Sequence, residues 1–353
     1  MKKMLVIYPD YSEKVTGGQV YDRLFIKSLQ EKEDLSVEFL LDKDLFSQNK
    51  FLFIIAYILK LGKCCKYDYI LTNSRLYTRL FALFFILRIL GKKIYSIHHH
   101  FSYLGESGWR YFIHKTLETF FLRISTATIL ASPYVKDCFS KMLPKSKYIY
   151  VPLGVKKSKR DALNRKDITG TVDLLYVGTI EKRKGLLYLL ESLNKLSTNK
   201  EISYKCHIVG KVLEEDYKRE MDNKIKEYNL TDDIIFHGRL DDEELNRIYS
   251  ESDIFVFPSM LEGYGMVLLE AMSYSLPIIA FDNSAMPYTV KTGETGILVE
   301  NKNVDSFYRA IVKLVEDKDY YSNIVENSKK RYEEIRTEES LKEDIIKTID
   351  LVF

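Results

Sequence analysis

Two carboxylates eight positions apart, Glu262 and Glu270, stand in the segment Asp253–Ala271, DIFVFPSMLEGYGMVLLEA. The segment reads as an apolar strand, a turn opened by Pro258-Ser259, a glycine loop Glu262-Gly263-Tyr264-Gly265 and then a helix. Gly263 and Gly265 let backbone come close to a ligand. The helix N-terminus at Met266-Val267 offers unpaired N–H groups to an anion. A carboxylate in such a loop accepts hydrogen bonds from sugar hydroxyls, and a second on the first turns of the helix holds a ribose diol. The plainer reading is a helix start with turn glycines and an acidic residue.

Three cations in a row, Lys182-Arg183-Lys184, precede a glycine and a helical pattern. Cations at a helix start oppose its dipole, which favours a functional reason for them over a solvated charge run. Three histidines, His98-His99-His100, close an apolar strand. Neighbours in an extended chain point to opposite faces, so only His98 and His100 share one. No CxxC or HExxH pattern supports zinc beside them, and no metal is expected.

These residues need elements to position them, and the chain supplies an alternation. Apolar runs at Met4–Tyr8, Val37–Leu41, Tyr69–Thr72, Ile94–Ile97 and Ala127–Ala131 read as buried strands. Helical patterns lie between them at Gln19–Glu31, Phe46–Leu61, Thr78–Leu90 and Trp109–Ile124. The polar stretch 156–170, KKSKRDALNRKDITG, reads as a linker. A second alternation follows, with strands at Asp173–Val177, Tyr204–Val209, Ile234–His237, Asp253–Phe257 and Pro277–Phe281. Its helical patterns are Leu186–Leu196, Asp216–Tyr228, Asp242–Ser250, Val267–Ser273 and Val304–Val315, and Thr337–Val352 reads as a last helix. Alternating strands and helices argue for parallel sheets covered on both faces, hence an α/β protein. The expected domains are 1–155, 171–336 and a terminal helix 337–353 that packs back on the first domain.

The chain has 353 residues, 46% hydrophobic and 29% charged, enough for two cores and too apolar for a disordered class. The net charge of +3 hides an asymmetry: residues 1–155 carry +10 and residues 156–353 carry −7. The excess lies in 51–155, where a basic, aromatic-rich surface is suited to an anionic membrane leaflet. No nucleic-acid-binding motif accompanies that charge, so nucleic acid is not an expected partner. The four cysteines, Cys64, Cys65, Cys138 and Cys206, form no CxxC pair and suit a reduced, cytosolic protein. The N-terminal apolar run stops at Pro9-Asp10, too short for a signal peptide. Phe51–Leu59 and Leu80–Leu87 are too short to span a membrane, so the expected place is the cytoplasm, peripheral on the inner face of the membrane.

The string Glu262–Glu270 resembles the E-x7-E motif of the retaining glycosyltransferases of family 4, which have the GT-B fold. Similar segments run over nearly the whole chain. Gly17-Gly18 resembles the family's glycine loop beneath the donor diphosphate, and Val151–Val155 the segment that closes the first domain. Tyr176-Val177-Gly178-Thr179-Ile180 with Lys182–Gly185 resembles the first strand and phosphate loop of the second domain. His207–Gly210 and Phe236–Leu240, which includes Gly238 and Arg239, resemble the strands that frame the nucleotide base. Pro277–Val290 and Gly293–Gly296 resemble the closing segments. Two departures stand out. The family's Arg after the phosphate-loop glycine is Thr179 here, and its GG-x-P-E pattern is Ser284-Ala285-Met286-Pro287-Tyr288.

The resemblance implies two Rossmann-like domains facing a central cleft, with the acceptor on the first and a nucleotide diphosphate sugar on the second. It implies that Glu270 binds the ribose, that Glu262 and Gly263–Gly265 face the donor sugar, and that Arg183 and Lys184 bind the diphosphate. The remaining donor contacts fall to Gly17, Gly18, Gly178, Thr179, Gly210, Gly238, Arg239, Tyr264, Met266 and Val267. A His at the end of the fourth strand faces the sugar, His98 matching by position with His99 as its rival. The implied activity is metal-independent, cofactor-free, retaining hexosyl transfer to a glycan or lipid-linked glycan, with a UDP-sugar favoured and GDP-mannose next. A sugar-nucleotide epimerase of the same architecture and a non-catalytic partner subunit are the alternatives. Arg183, Lys184, Glu262 and Glu270 are all present, which argues against the latter.

Overall fold

The computed structural model describes residues 2–8, 17–41, 61–155, 168–199 and 201–353, without the side chains of residues 78 and 79. The apolar run Phe51–Leu59, all but the last residue of the helix expected at Phe46–Leu61, and most of the expected linker lie outside them. The chain divides into two compact units, Met1–Lys156 with Arg336–Phe353, and Lys157–Ile335.

The first unit holds a sheet of six parallel strands: β1 (Lys2–Tyr8), β2 (Leu35–Leu41), β3 (Tyr69–Asn73), β4 (Lys93–His98), β5 (Ala127–Leu130) and β6 (Tyr148–Tyr150). Their order is β2-β1-β3-β4-β5-β6. The central strands are largely apolar because helices cover both faces; every residue of β3 and β5 is buried, the polar Thr72, Asn73 and Thr128 included. The described helices are α1 (Gly17–Gln30), α2 (Tyr77–Ile89), α3 (Gly108–Ile124) and α4 (Pro133–Met142). The core between sheet and helices gathers Leu5, Ile70, Phe84, Leu87, Ile94 and Phe121.

The second unit repeats the plan with six parallel strands: β7 (Val172–Val177), β8 (Tyr204–Val209), β9 (Ile234–Gly238), β10 (Ile254–Phe257), β11 (Ile278–Phe281) and β12 (Gly296–Val299). Their order is β12-β11-β10-β7-β8-β9. Helices α5 (Leu186–Ser197), α6 (Glu215–Glu227), α7 (Asp242–Glu251), α8 (Met266–Ser273), α9 (Met286–Thr289), α10 (Val304–Glu316) and α11 (Lys318–Glu334) complete it. The last helix, α12 (Glu338–Val352), belongs to the first unit and packs on α1. Phe353 sets its ring edge-on to Tyr69 and Tyr95, with centroids 5.5 and 4.7 Å away. The Glu338 N–H donates to the Val155 carbonyl at 2.9 Å, and a Cβ on Gly154 would lie 2.0 Å from the Thr337 carbonyl oxygen, so only glycine fits there.

In each sheet the connections reverse direction once, at β1/β3 in the first unit and at β7/β10 in the second. Ligands of open parallel sheets bind outside the strand C-termini at such a switch point. This places attention on Tyr8, Gly17, Gly18 and Asn73 in one unit, and on Gly178, Thr179, Pro258 and Ser259 in the other.

Candidate functional site

In the second unit, glycine packing builds the loops at the switch point. A Cβ on Gly210 would lie 1.8 Å from the Gly178 carbonyl oxygen, and the Gly178 N–H donates to Val209 O at 2.9 Å. The ends of β7 and β8 are therefore held backbone against backbone. After β7 comes a 3-10 turn, Lys182–Lys184, that ends on Gly185 in the left-handed region at φ 69°. A Cβ on Gly185 would lie 2.1 Å from Pro258 O, and the Met260 N–H donates to Arg183 O at 2.9 Å. These contacts lock the cationic turn to the loop that follows β10.

Glu262 sits where that loop crosses the turn. Its Oε1 accepts from Lys184 Nζ at 2.5 Å, from Ser259 Oγ at 2.7 Å and from Arg183 Nη1 at 3.1 Å. Arg183 also donates to the Leu261 carbonyl at 2.6 Å and, through Nη2, to Glu181 at 2.9 Å. The Lys184 and Glu262 side chains are 11% and 12% exposed. Burial alone would raise the Glu262 pKa, but Lys184 and Arg183, with the hydrogen bonds from Lys184 and Ser259, hold it below the usual carboxylate range. For Arg183, burial works against the charge and the Glu262 and Glu181 carboxylates outweigh it, so its pKa is raised. The backbone N–H of Glu262 donates to Ser284 Oγ at 2.9 Å, which ties the departing Ser284–Tyr288 loop to the cluster.

Glu270 lies elsewhere, on α8, where its Oε2 accepts from Tyr249 OH at 3.1 Å. Tyr249 stacks on Tyr274 with centroids 4.9 Å apart. The α8 N-terminus opens on Gly265 in the left-handed region, φ 80°, ahead of Met266 and Val267. Gly263 and Tyr264 are half-buried in the loop before it. Gly238 ends β9 and Arg239 follows it, both on the surface, with Gly238 O accepting from the Gly210 N–H at 2.7 Å. Thr179, where the resembled family has Arg, donates from Oγ1 to Glu181 at 2.7 Å, and Glu181 in turn receives Arg183. The structure thus brings Arg183, Lys184 and Glu262 into direct contact. Sequence reasoning gave no role to Ser259, Glu181 or Tyr249; the only signal was Ser259 at the end of an apolar strand.

In the first unit the histidines part company. His99 Nε2 lies 2.7 Å from Asp22 Oδ1, and its ring sits 3.2 Å from the place a Cβ on Gly18 would take. Asp22 is buried, and its Oδ2 accepts from Asn73 Nδ2 at 3.2 Å. His98 is fully enclosed: Nδ1 lies 2.7 Å from Ser74 Oγ, and Nε2 has no hydrogen-bond partner among the described residues. Burial, with the neighbouring His100 and His99, drives its pKa well below the usual histidine value. Of the pair, His99 and not the sequence-favoured His98 lies against the glycine loop. Glu118, buried 4.0 Å from His98 Nδ1, accepts the Ser102 N–H at 3.0 Å, and burial pushes its pKa up to about 7.

Residues 159–331 match the model of the family described as glycosyl transferases group 1. The chain is similar to HepE of Anabaena, solved in complex with UDP and glucose, with a TM-score of 0.73 at 16% identity over 99% of this chain and 100% of that one. The fold is GT-B. Among relatives of this GT-B chain is an uncharacterized 41.2 kDa protein in the cps region of Klebsiella pneumoniae, 27% identical over 69% of this chain and 68% of that protein. Another is the capsular polysaccharide biosynthesis glycosyltransferase CapM of Staphylococcus aureus, 31% identical over 45% of this chain. That match spans 40% of CapM.

Proposed function

We propose that the protein is a retaining glycosyltransferase that moves a hexose from a nucleotide diphosphate sugar to a glycan or lipid-linked glycan of the cell surface. The observation that carries this reading is the Lys184–Glu262–Arg183 cluster at the β7/β10 switch point. As the bond from C1 to the nucleotide breaks, negative charge grows on the departing diphosphate. Two cations already fixed in place stabilise that charge without reorganising. Glu262 holds both: its three donors converge on Oε1, and Oε2 is the acceptor assigned to a sugar hydroxyl. The α8 N–H groups at Met266 and Val267 are assigned to phosphate oxygens, and Glu270 to the ribose diol.

A UDP-sugar is favoured as donor, GDP-mannose next. HepE, of the same fold, was solved with UDP and glucose, and CapM is named for capsular polysaccharide biosynthesis. Cations in place of a metal are assigned to the leaving group, and front-face departure and attack accounts for retention without a carboxylate nucleophile. The acceptor is assigned to the first unit, where His99, held by Asp22, replaces His98 as the ring assigned to a sugar hydroxyl.

Thermal unfolding with millimolar UDP, GDP and ADP, and with their sugar conjugates, tests the reading on wild type and Glu270→Ala. A ligand at a hundred times its Kd stabilises the folded state by about 2.7 kcal/mol. One nucleoside diphosphate is expected to raise the wild-type midpoint and not that of Glu270→Ala. A folded sample that none of them shifts overturns the donor assignment.

A further inference from the structure

The outer faces of α2 and α3 are apolar where water should meet them. On α3, Trp109 and Phe112 are each 69% exposed, and Ile113, Thr116 and Phe120 follow at helical spacing on the same stripe. On α2, Phe85 and Ile89 are exposed one turn apart, and Ile89 is 70% exposed. The two stripes join: the Phe120 ring lies 5.2 Å from Phe81 and 6.0 Å from Phe85, centroid to centroid. A helix that only covers a sheet turns polar residues outward. Here α2 buries Leu80, Leu83, Phe84 and Leu87 and exposes further aromatic and aliphatic side chains on the other side.

Cations rim this surface. The Arg110 guanidinium lies 5.8 Å from the Trp109 ring centroid, the Lys115 ammonium 5.3 Å from that of Tyr111, and Arg123 is exposed at the far end of α3. Acidic residues are nearly missing: residues 77–124 contain only Glu106 and Glu118, and Glu118 is buried against the Ser102 and Tyr103 N–H groups. No helix among the described residues is long and apolar enough to cross a membrane.

We propose that the α2–α3 face docks in the plane of an anionic lipid surface, with Trp109, Phe112 and Ile113 set at the headgroup level and Arg110 and Lys115 on lipid phosphates. Aromatic side chains flanked by cations are the chemistry of the bilayer interface, where ring bodies leave water and charged heads stay in it. Charge complementarity selects lipid over a second copy of this chain. A twofold self-contact would bring Arg110 and Lys115 of both copies together with only Glu106 near in sequence to pair them, whereas anionic headgroups cover the apolar stripe and neutralise its rim. The inference stands apart from the donor assignment, which concerns the other unit.

Trp109 is the only tryptophan in the chain, so its emission reports on this face. The experiment mixes the full chain with vesicles of phosphatidylcholine alone, or of phosphatidylcholine mixed with anionic phosphatidylglycerol, and follows flotation and Trp109 emission together. The expected result is binding to the anionic vesicles with a blue shift. Phe112→Ser/Ile113→Ser and Arg110→Glu/Lys115→Glu should each weaken partition by about tenfold or more while leaving the melting midpoint within a few degrees. Absence of binding, binding without the blue shift, or equal binding to both vesicles overturns the proposal. So does a blue shift that appears without lipid as protein concentration and oligomer mass rise together.

Discussion

His99 and Asp22 form a hydrogen-bonded pair, Nε2 to Oδ1 at 2.7 Å, at the mouth of the β1/β3 switch point. The carboxylate is buried and anchored on its other oxygen by Asn73, so the imidazole is the partner that adapts. An ionised Asp22 selects the tautomer with its proton on Nε2 and leaves Nδ1 as an acceptor. The edge of Tyr21, whose ring centroid is 5.7 Å away at 87°, and Gly18 fix the plane of the ring. A single-residue glycine and a buried acid thus orient one histidine at the end of β4, while the histidine beside it is sealed inside.

Asp22→Asn should release that orientation. The amide offers the ring both a donor and an acceptor, so the Nε2-protonated form loses its preference. Nitrogen chemical shifts of His99 are expected to move toward a mixture of tautomers. Stability should fall by about 1.5–3 kcal/mol, the typical worth of a hydrogen bond to a charged group. Unchanged ring shifts together with unchanged stability would show that Asp22 does not set the ring.

Glu118 gives a pH dependence of known sign. Burial raises its folded-state pKa to about 7, against the opposing N–H groups of Ser102 and Tyr103, from an ordinary value of 4.5. Between those two values the unfolded chain releases the proton and the folded chain keeps it, so this group lowers stability as pH rises from about 4.5 to 7. Glu118→Gln removes that slope. Urea unfolding at pH 5 and pH 8 is expected to show the variant gaining on wild type by on the order of 3 kcal/mol across the interval. Parallel profiles would mean that Glu118 ionises freely in the folded protein.

The fold was legible where burial leaves a strong pattern. Strands β1 to β5 and β7 to β11 carry predominantly apolar runs, interrupted in places as by Glu38 in β2 and Lys205 in β8, and sequence finds all ten of them. Edge strands β6 and β12 escape it. Tyr148–Tyr150 has three residues, each half-buried, and Gly296–Val299 has four with two of them half-buried, which is too little for periodicity to act on. Helix α11 escapes for a related reason: over 17 residues it buries only Tyr321, Ile324 and Ser328. Helix α4 has a readable start in Ser132 capping the Val135 N–H with Pro133 behind it, but over ten residues it buries only Val135 and Phe139. At the site, residue types and spacing single out Arg183, Lys184 and Glu262. They do not show that Glu262 binds both cations, because that contact depends on Gly185 packing so close to the Pro258 carbonyl that a Cβ there would lie 2.1 Å from its oxygen. The His98/His99 choice turns on which ring leaves the core, and that depends on packing against Phe101 and Gly18 rather than on strand alternation.

Glu262 carries the opposite sign. Its folded-state pKa lies below the ordinary value, so its contribution is complete above the usual carboxylate range and is lost only as pH falls through the lowered value. Glu262→Gln leaves Lys184 and Arg183 against a neutral oxygen in a largely buried place. The cost at pH 7 should be about 3 kcal/mol, read from urea unfolding. The gap between wild type and variant should stay level from pH 5 to 8 and close below about pH 4. A gap that closes near neutrality instead would assign the stabilisation to another group.

Tyr249 separates binding of the ribose from support of the helix. Its hydroxyl donates to Glu270 Oε2 at 3.1 Å while its ring stacks on Tyr274 and on Phe255, at 4.9 and 6.0 Å between centroids. Tyr249→Phe keeps both stacks and removes only the donor. Glu270 Oε2 loses the Tyr249 hydrogen bond, so a ribose diol meets a less ordered acceptor. With UDP as probe, the variant is expected to bind a few-fold more weakly, a change of roughly 1 kcal/mol, by calorimetry. Its melting midpoint without ligand should move by no more than a few degrees, since one neutral-to-charged hydrogen bond near the surface is at stake. Glu270→Gln should weaken UDP more than Tyr249→Phe does, because it changes the acceptor itself. If Tyr249→Phe alone abolished binding, the hydroxyl rather than the carboxylate would be the group that meets the nucleotide, and the roles assigned to the two residues would be exchanged.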